Sequence, residues 1–206
     1  MGGVKIKVGH AGTLDPLASG VMVVCTGRAT KQIDTLQAGV KEYIATLRLG
    51  ATTPSFDLEH PVDHTYATCH IDHQLVETQL KKFIGDIWQT PPAFSAVKVD
   101  GKRAYDLARK GKEVELKPKL LRIDELELLD CALAGAEKFL TIRVVCSKGT
   151  YIRALARDIG EALGSGAHLT SLRRTRVGDF RVEDCMQLDD FEGWLAQQTI
   201  ETELPQ

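Results

Sequence analysis

The sequence predicts a single α/β domain, and three observations carry that prediction. The chain has 206 residues, of which 43% are hydrophobic, and a chain of this size buries roughly 70% of its unfolded surface in one core. Segments with the two-residue periodicity of β-strands are interspersed with segments that have the spacing of amphipathic helices. No internal repeat, low-complexity tract or long linker divides the chain.

The predicted strands follow from short apolar runs and from alternation. Residues 21–26 are an apolar run, and residues 41–49 alternate, with Tyr43, Ala45 and Leu47 on one face. The other predicted strands alternate or stop at turn residues, and they cover residues 95–99, 113–117, 120–129, 139–146 and 168–180. Strands outnumber helices in this pattern, so a sheet is expected to organise the domain.

The predicted helices follow from apolar residues that recur every three or four positions. Residues 72–84 place Leu75, Val76 and Leu80 on one face, and residues 152–163 carry a longer apolar stripe. Shorter helices are predicted over residues 29–36, 103–110 and 188–198. We expect these helices to cover the sheet with their apolar faces.

Composition excludes several classes of protein. The net charge is −2, so the chain has no general basic coat, and it lacks both an apolar stretch of membrane-spanning length and a signal-peptide core at its start. The five cysteines are scattered without a CxxC pair, which predicts reduced thiols. We therefore expect a cytoplasmic protein that contacts no membrane.

A group of histidines gives one alternative function. His60, His64, His70 and His73, together with Cys69, have a spacing loosely similar to that of zinc ligands, which raises the hypothesis of a metal-dependent hydrolase. The segment is a polar, proline-containing connection, where solvated histidines are the rule. We favour the solvated interpretation and expect no metal.

The run GHAGTLDPLASG, residues 9–20, places Asp15 in a glycine-rich segment and has two interpretations. Asp15 before Pro16 fits the start of a helix, with Asp15 as the N-cap. Alternatively, the glycines let the backbone approach another molecule while His10, Thr13 and Asp15 supply polar groups from one short loop. Pro16 biases Asp15 toward an extended or turn conformation. The residues alone leave both interpretations open.

Basic residues concentrate in residues 98–119 and 148–176, whereas acidic residues collect in residues 124–130 and after Gly178. A chain with this charge distribution is able to bind RNA through one local surface. Arg153 lies off the apolar stripe of its predicted helix, a position that by itself predicts a solvated side chain.

Five ordered runs are similar to motifs of the TruB family of tRNA pseudouridine synthases. They are VGHAGTLDPLASGVM, KEYIATLRLG, PPAFSAVKVDGKRAYDLARKG, SKGTYIRALARDIG and GAHLTSLRRTRVG, which together extend from Val8 to Gly178. The resemblance implies an α+β type of α/β fold, with a mixed, mostly antiparallel sheet flanked by helices. It also implies a cofactor-free isomerase that converts uridine 55 in the T-arm of tRNA to pseudouridine.

The resemblance also implies roles for individual residues. Asp15 matches the catalytic aspartate, Arg153 the arginine that pairs with it, and Tyr43 the tyrosine that packs on a flipped-out base and whose phenol is a candidate for removing the C5 proton. The implied substrate-binding residues are His10, Lys98, Tyr151 and Leu172. Candidates for contacts with the RNA backbone are Lys102, Arg103, Arg109, Arg173, Arg174 and Arg176. Taken singly, each of these basic side chains fits plain solvation better than an RNA contact, and only together do they indicate an RNA-binding face.

The chain departs from the family pattern at both ends. Seven residues precede Val8, where family members carry a strand and a KPxGxTS motif, and no appended RNA-binding (PUA) domain is expected after the last helix. We therefore expect residues 1–206 to form one catalytic domain, N-terminally incomplete relative to the family, that works as a monomer on the tRNA T-arm stem-loop. The shortened start gives a second alternative, a non-catalytic helper of tRNA binding or folding.

Overall fold

A computed structural model describes residues 6–95, 97–99, 101–109 and 116–198. The described strands are β1 (Val8–His10), β2 (Ala18–Gly20), β3 (Val24–Thr26), β4 (Lys41–Leu49), β5 (Ala51–Thr52), β6 (His64–Thr65), β7 (Gly85–Gln89), β8 (Lys98–Val99), β9 (Lys102–Arg103), β10 (Lys119–Ala132), β11 (Lys138–Cys146), β12 (Ala167–Val177) and β13 (Phe180–Arg181). The described helices are α1 (Ile33–Ala38), α2 (His73–Leu80), α3 (Ala104–Ala108), α4 (Ile152–Ala162) and α5 (Phe191–Ala196). Short 3-10 turns lie at Gly27–Gln32, Lys81–Phe83, Val182–Asp184 and Leu188–Asp190.

A seven-stranded sheet organises these elements. Its order is β13-β12-β4-β11-β10-β7, with antiparallel neighbours throughout, and β2 adds to β12 in parallel. The sheet is therefore mixed and mostly antiparallel, and helices flank it, as the family resemblance implies. β12 joins the N-terminal segment to the rest of the sheet, because it pairs with β4 on one side and with β2 on the other.

The core lies between one face of the sheet and the helices α4 and α2. Strand alternation points Leu47, Leu140 and Ile142 toward the helices, and all three are fully buried. From α4, Leu155 and Ile159 meet this face, because residues four apart share one side of a helix. Each fully buried side chain of this size contributes roughly 1.5–3 kcal/mol, so this layer contributes strongly to holding α4 against the sheet.

The long periodic elements were predicted correctly, and the shorter ones less well. The strand predicted over residues 21–26 begins only at Val24, because Val21 hydrogen-bonds with its main-chain N–H to Arg174 O instead of continuing β3. β7 was missed entirely, and Ile84, expected in the core, is 47% exposed. The strand predicted over residues 95–99 is limited to β8, and most of the one predicted over residues 113–117 lies outside the described residues.

Candidate active site

Asp15 lies in the loop between β1 and β2, called here the Asp15 loop (residues 11–17). Its carbonyl accepts a hydrogen bond from the N–H of Ala18 at 2.9 Å, which closes a turn that leads directly into β2. No helix follows Asp15, so the N-cap interpretation is wrong. The chain stays extended here because β2 hydrogen-bonds to β12, and this pairing outweighs the local preference for a helix start.

Arg153 forms a two-pronged ion pair with Asp15. Its Nε lies 2.9 Å from Oδ2 of Asp15, and its Nη2 lies 2.9 Å from Oδ1. Only 6% of the Arg153 side chain is exposed, against 34% of the Asp15 side chain. Two parallel charge-assisted hydrogen bonds fix both the distance and the orientation of a carboxylate. Arg153 is therefore not the solvated residue that its place off the apolar stripe predicted; it comes from the first turn of α4 and faces the Asp15 loop.

A second carboxylate, that of Asp57, lies beside the same guanidinium and was missed in the sequence analysis. Its Oδ2 is 3.7 Å from Nε of Arg153, and 7% of its side chain is exposed. Arg153 also donates from Nη1 to the carbonyl of Ser55 at 3.3 Å. In the sequence, Asp57 lies in an ordinary polar loop, and only its burial in the structure distinguishes it from a solvated aspartate. One guanidinium thus serves two carboxylates.

An open cleft of about 280 Å³ begins at this charged group. Asp15, Asp57 and Arg153 form its polar end, and Leu172 contributes to an apolar wall. The remaining lining residues are Leu17, Ala18, Leu58, Leu169, Thr170 and Ser171. Apolar walls with a few converging polar groups are typical of sites for small, flat, partly polar groups. Leu172, which the family resemblance implies as a lining residue of the base pocket, thus lies in the cleft wall, and its contact with a base stays a prediction.

Tyr43 lies on β4, paired in register with Arg174 of β12, and it packs against the core rather than among the cleft-lining residues. Burial raises the pKa of Tyr43 to about 12, the neighbouring Cys146 and Asp15 add to the increase, and the Arg174 guanidinium opposes it. The phenol is thus protonated near neutral pH. Such a side chain offers a packing surface and a hydrogen-bond donor, and it is a poor proton acceptor.

Tyr151 precedes α4, and its main-chain N–H donates to Oε1 of the buried Gln89 at 2.9 Å. Burial also raises the pKa of the Tyr151 phenol. His10 is exposed on β1, next to the Asp15 loop. Lys98 and Lys102 belong to the β8–β9 hairpin, but their side chains lie outside the described residues.

Four of the five arginines predicted to contact RNA phosphates are exposed or half-buried. Arg103 and Arg109 are exposed and lie over the ring of Tyr105 at 5.8 and 5.4 Å from its centroid, and Arg173 is exposed on β12. Arg176 is half-buried, with Nη2 4.0 Å from Oε2 of Glu42.

The prediction that Arg174 contacts the RNA backbone is wrong. The residue is 2% exposed and donates to the carbonyls of Gly12, Thr13 and Val21. Alternation along β12 turns Arg173 outward and Arg174 inward, so the two adjacent arginines have different roles.

The four histidines of the proposed zinc group make separate contacts. His60 packs on Phe94, and His70 Nε2 lies 2.9 Å from Leu163 O. His64 and His73 lie near carboxylates of their own segments, those of Asp63 and Glu77. Within the residues that the structure describes, no group of three or more His, Cys, Asp or Glu side chains is arranged to hold a metal ion. None of the helices in that part of the chain is long and apolar enough to cross a membrane.

Comparisons with known proteins identify the family of the chain. Residues 2–152 match the model of the TruB family pseudouridylate synthase N-terminal domain, and residues 153–206 match that of the tRNA pseudouridylate synthase B C-terminal domain. The chain is 67% identical over 199 residues to tRNA pseudouridine synthase B of Bacteroides thetaiotaomicron, covering 97% of this chain and 83% of that protein. It is 69% identical over 201 residues to the protein of the same name from Phocaeicola vulgatus, covering 98% and 84%.

Solved structures extend the similarity to the fold. A chain of a Cbf5-Nop10-Gar1 complex superposes with a TM-score of 0.67 at 30% identity, covering 92% of this chain and 46% of that one. A chain of an H/ACA RNP bound to a substrate RNA containing 2'-deoxyuridine gives a TM-score of 0.64 at 28% identity, covering 95% and 48%. The present chain thus spans just under half the length of these solved chains. With two matching family models and relatives at this level of identity, the chain belongs to the TruB family of tRNA pseudouridine synthases, which are isomerases.

Proposed function

We propose that this chain converts uridine 55 in the T-arm of tRNA to pseudouridine, with Asp15 as the reacting carboxylate. The observation that carries the proposal is the two-pronged Asp15–Arg153 ion pair at the polar end of the cleft. Asp15 is the more exposed partner, so its carboxylate is the one that faces an incoming group. The names of the relatives supply the substrate class, tRNA.

The reaction is an isomerisation and needs no external oxidant or co-substrate. The bond from ribose C1′ to uracil N1 breaks, a bond from C1′ to C5 forms, C5 loses a proton and N1 gains one. A carboxylate serves this chemistry as a nucleophile or as a base on the ribose. Attack at C1′, attack at C6 and a route through a glycal all remain open. Arg153 holds the carboxylate as an oriented anion in each route.

The target base reaches Asp15 only after it leaves the RNA stack. Flipping a base costs a few kcal/mol, and stacking on an aromatic side chain is typically worth ~1–3 kcal/mol. We assign that stacking to Tyr43, which does not line the cleft in the structure but lies close enough to Asp15 and Arg174 for their charges to act on its pKa. Because its phenol holds its proton near neutral pH, Tyr43 acts through packing and hydrogen bonding, and direct removal of the C5 proton by a phenolate is the less favoured role.

The remaining residues surround this centre. Leu172 lines the pocket for the base, and Tyr151 supports that pocket from the start of α4. His10, exposed on β1, is assigned to the place that the flipped base vacates. Lys98 and the exposed Arg103, Arg109 and Arg173 contact the RNA. The charged group is complete within this chain, and we take a monomer as the working unit. Its tRNA substrate favours the cytoplasm.

The test is the substitution Asp15→Asn, assayed for pseudouridine formation and for binding of a T-arm stem-loop. We expect turnover to disappear while the dissociation constant changes by no more than about threefold, because the amide keeps the size of the carboxylate and lacks its charge. Tyr43→Phe in the same assay should retain most of the turnover. Substantial turnover by Asp15→Asn would contradict the proposal. A wild-type chain that binds the stem-loop without forming product would favour the non-catalytic helper.

A further inference from the structure

Arg174 lies beneath the Asp15 loop and contacts the chain on both sides of Asp15. Its Nη2 donates to the carbonyl of Gly12 at 3.1 Å and its Nη1 to that of Thr13 at 3.2 Å, both before Asp15 in the chain. Its Nε donates to the carbonyl of Val21 at 2.8 Å, after β2. A guanidinium presents its donors in a rigid planar fork, so these acceptors are fixed relative to one another.

The main chain of Arg174 binds the same segment from the other side. The N–H of Val21 donates to the carbonyl of Arg174 at 2.8 Å, and Ala18–Gly20 pairs in parallel with Leu172–Arg174. At Gly20, φ is +104°, and a Cβ would lie 2.1 Å from the Arg174 carbonyl oxygen. Only glycine allows this close approach. One residue of β12 thus holds the chain on both sides of Asp15.

Main-chain carbonyls accept all three of these guanidinium hydrogen bonds. The charge of Arg174 is therefore directed at backbone dipoles of the loop and not at a carboxylate. With 2% of the residue exposed, it does not reach the surface that meets RNA. Burial of a guanidinium is costly unless its donors are satisfied, and here the three carbonyls on both sides of Asp15 satisfy them.

We propose that Arg174 is a positioning residue for the reaction, which keeps the Asp15 loop in the path that presents the Asp15 carboxylate to Arg153 and to the cleft. The inference rests on the proposed role of Asp15. Since Arg174 acts from beneath the loop, its loss changes kcat and leaves KM for the stem-loop nearly unaltered. Misplacing a reacting group by about 1 Å costs on the order of 100-fold in rate.

The experiment compares Arg174→Lys and Arg174→Ala with wild type. The lysine variant keeps the charge but has a single ammonium group, which does not span acceptors on both sides of Asp15. We expect kcat to fall about 10- to 100-fold with KM within about twofold, and amide hydrogen exchange to accelerate in residues 11–21 but not in β4 or β11. Arg48→Lys is the control; Arg48 pairs with Glu137 on the sheet, and its replacement should leave kcat, KM and loop exchange unchanged.

Three outcomes would overturn the inference: unchanged exchange in residues 11–21, a rise in KM without a fall in kcat, or global unfolding of both variants, which would make Arg174 a residue of the general fold. If wild type itself forms no pseudouridine, the proposed function fails. The exchange measurement then decides the inference alone: acceleration confined to residues 11–21 supports Arg174 as the residue that positions the loop, and unchanged exchange refutes it.

Discussion

Two arginine-centred clusters, one in the cleft and one on the outer face of the sheet, use the same chemistry to different ends. Arg153 meets Asp15 with both contacts at 2.9 Å, and Arg143 meets Glu42, Glu125 and Glu127 at 3.0, 2.6 and 2.9 Å. The exposed fraction of the side chain is 6% for Arg153 and 28% for Arg143. Distances therefore do not separate the two clusters, whereas burial does.

The origin of the partners differs as well. Glu127 pairs with Arg143 directly across the β10–β11 ladder, and Glu42 comes from the neighbouring strand β4, so the outer cluster follows from sheet register. Asp15 and Asp57 come from loops, and no ladder dictates that they meet Arg153. Charges that the sheet aligns by itself support strand pairing. Charges that loops bring together beside a cleft are the ones expected to act on a substrate.

Among the substitutions that compare the two clusters, Arg153→Lys should have the largest effect. Lysine keeps the charge but lacks the fork that holds both oxygens of Asp15, so we expect kcat to fall by about 100-fold. Turnover of the T-arm stem-loop under saturating conditions measures this. Arg143→Lys is the matched control on the outer face and should stay within about twofold of wild type. Retention of more than half the activity by Arg153→Lys would remove the distinction between the clusters.

An intermediate effect is expected for Asp57→Asn. In wild type, Oδ1 of Asp57 accepts a hydrogen bond from the N–H of Glu59 at 3.0 Å, and an asparagine amide oxygen preserves this bond. The amide removes the negative charge that faces Nε of Arg153. The guanidinium is then held less firmly, and we expect kcat to fall about tenfold with little change in KM. Steady-state kinetics separate the two constants. Glu125→Gln, beside Arg143, is the corresponding outer substitution, and an equal effect from it would contradict our interpretation.

The smallest effect is expected for Arg143→Met, and it concerns stability. Although partial burial opposes the change, hydrogen bonds from Thr175 and Arg143 hold the pKa of Glu42 below its ordinary value. A carboxylate with a lowered pKa stabilises the fold above its ordinary pKa and loses that contribution as the pH falls through the lowered one. We expect Arg143→Met to reduce the free energy of unfolding by about 1 kcal/mol near neutral pH, with activity unchanged.

Urea denaturation from neutral to acidic pH measures the difference in free energy of unfolding between wild type and Arg143→Met. This difference should shrink as Glu42 becomes protonated. The more exposed Arg48–Glu137 pair provides the comparison, and Arg48→Met should cost no more than about 0.5 kcal/mol. A difference that grows toward acidic pH would show that Glu42 is not the partner that matters.

The sheet and α4 could be predicted from the sequence because their periodicity is long. β4 and β11 were predicted to within one residue, since each alternates over nine positions. β7 was missed because it has five residues and its largest side chain, Trp88, points outward with 70% exposed. A short edge strand with its aromatic residue in solvent lacks the apolar alternation that identifies a strand.

The site could be predicted only in part. Motif order singled out Asp15 and Arg153, and their contact is present in the structure, while their catalytic roles stay predictions. Asp57 and the burial of Arg174 were not foreseen, because the sequence around a loop aspartate, or around two adjacent arginines, does not show which side chain is buried. Pleating along β12 contains a usable signal, since it must turn one of Arg173 and Arg174 inward.

The way β12 holds the Asp15 loop has a consequence for how the protein folds. Arg153 and Asp15 are 138 positions apart, and Arg174 and Gly12 are 162 apart, whereas β10 and β11 form a local hairpin. Contacts between distant positions form slowly, because closing a long loop costs entropy before any contact is gained. During synthesis the β10–β11 hairpin is available first, whereas the Asp15 loop meets Arg153 only after α4 has left the ribosome, and Arg174 only after β12 has followed. The reactive geometry is thus expected to be among the last features to form, so a chain that has folded most of its sheet would still be inactive.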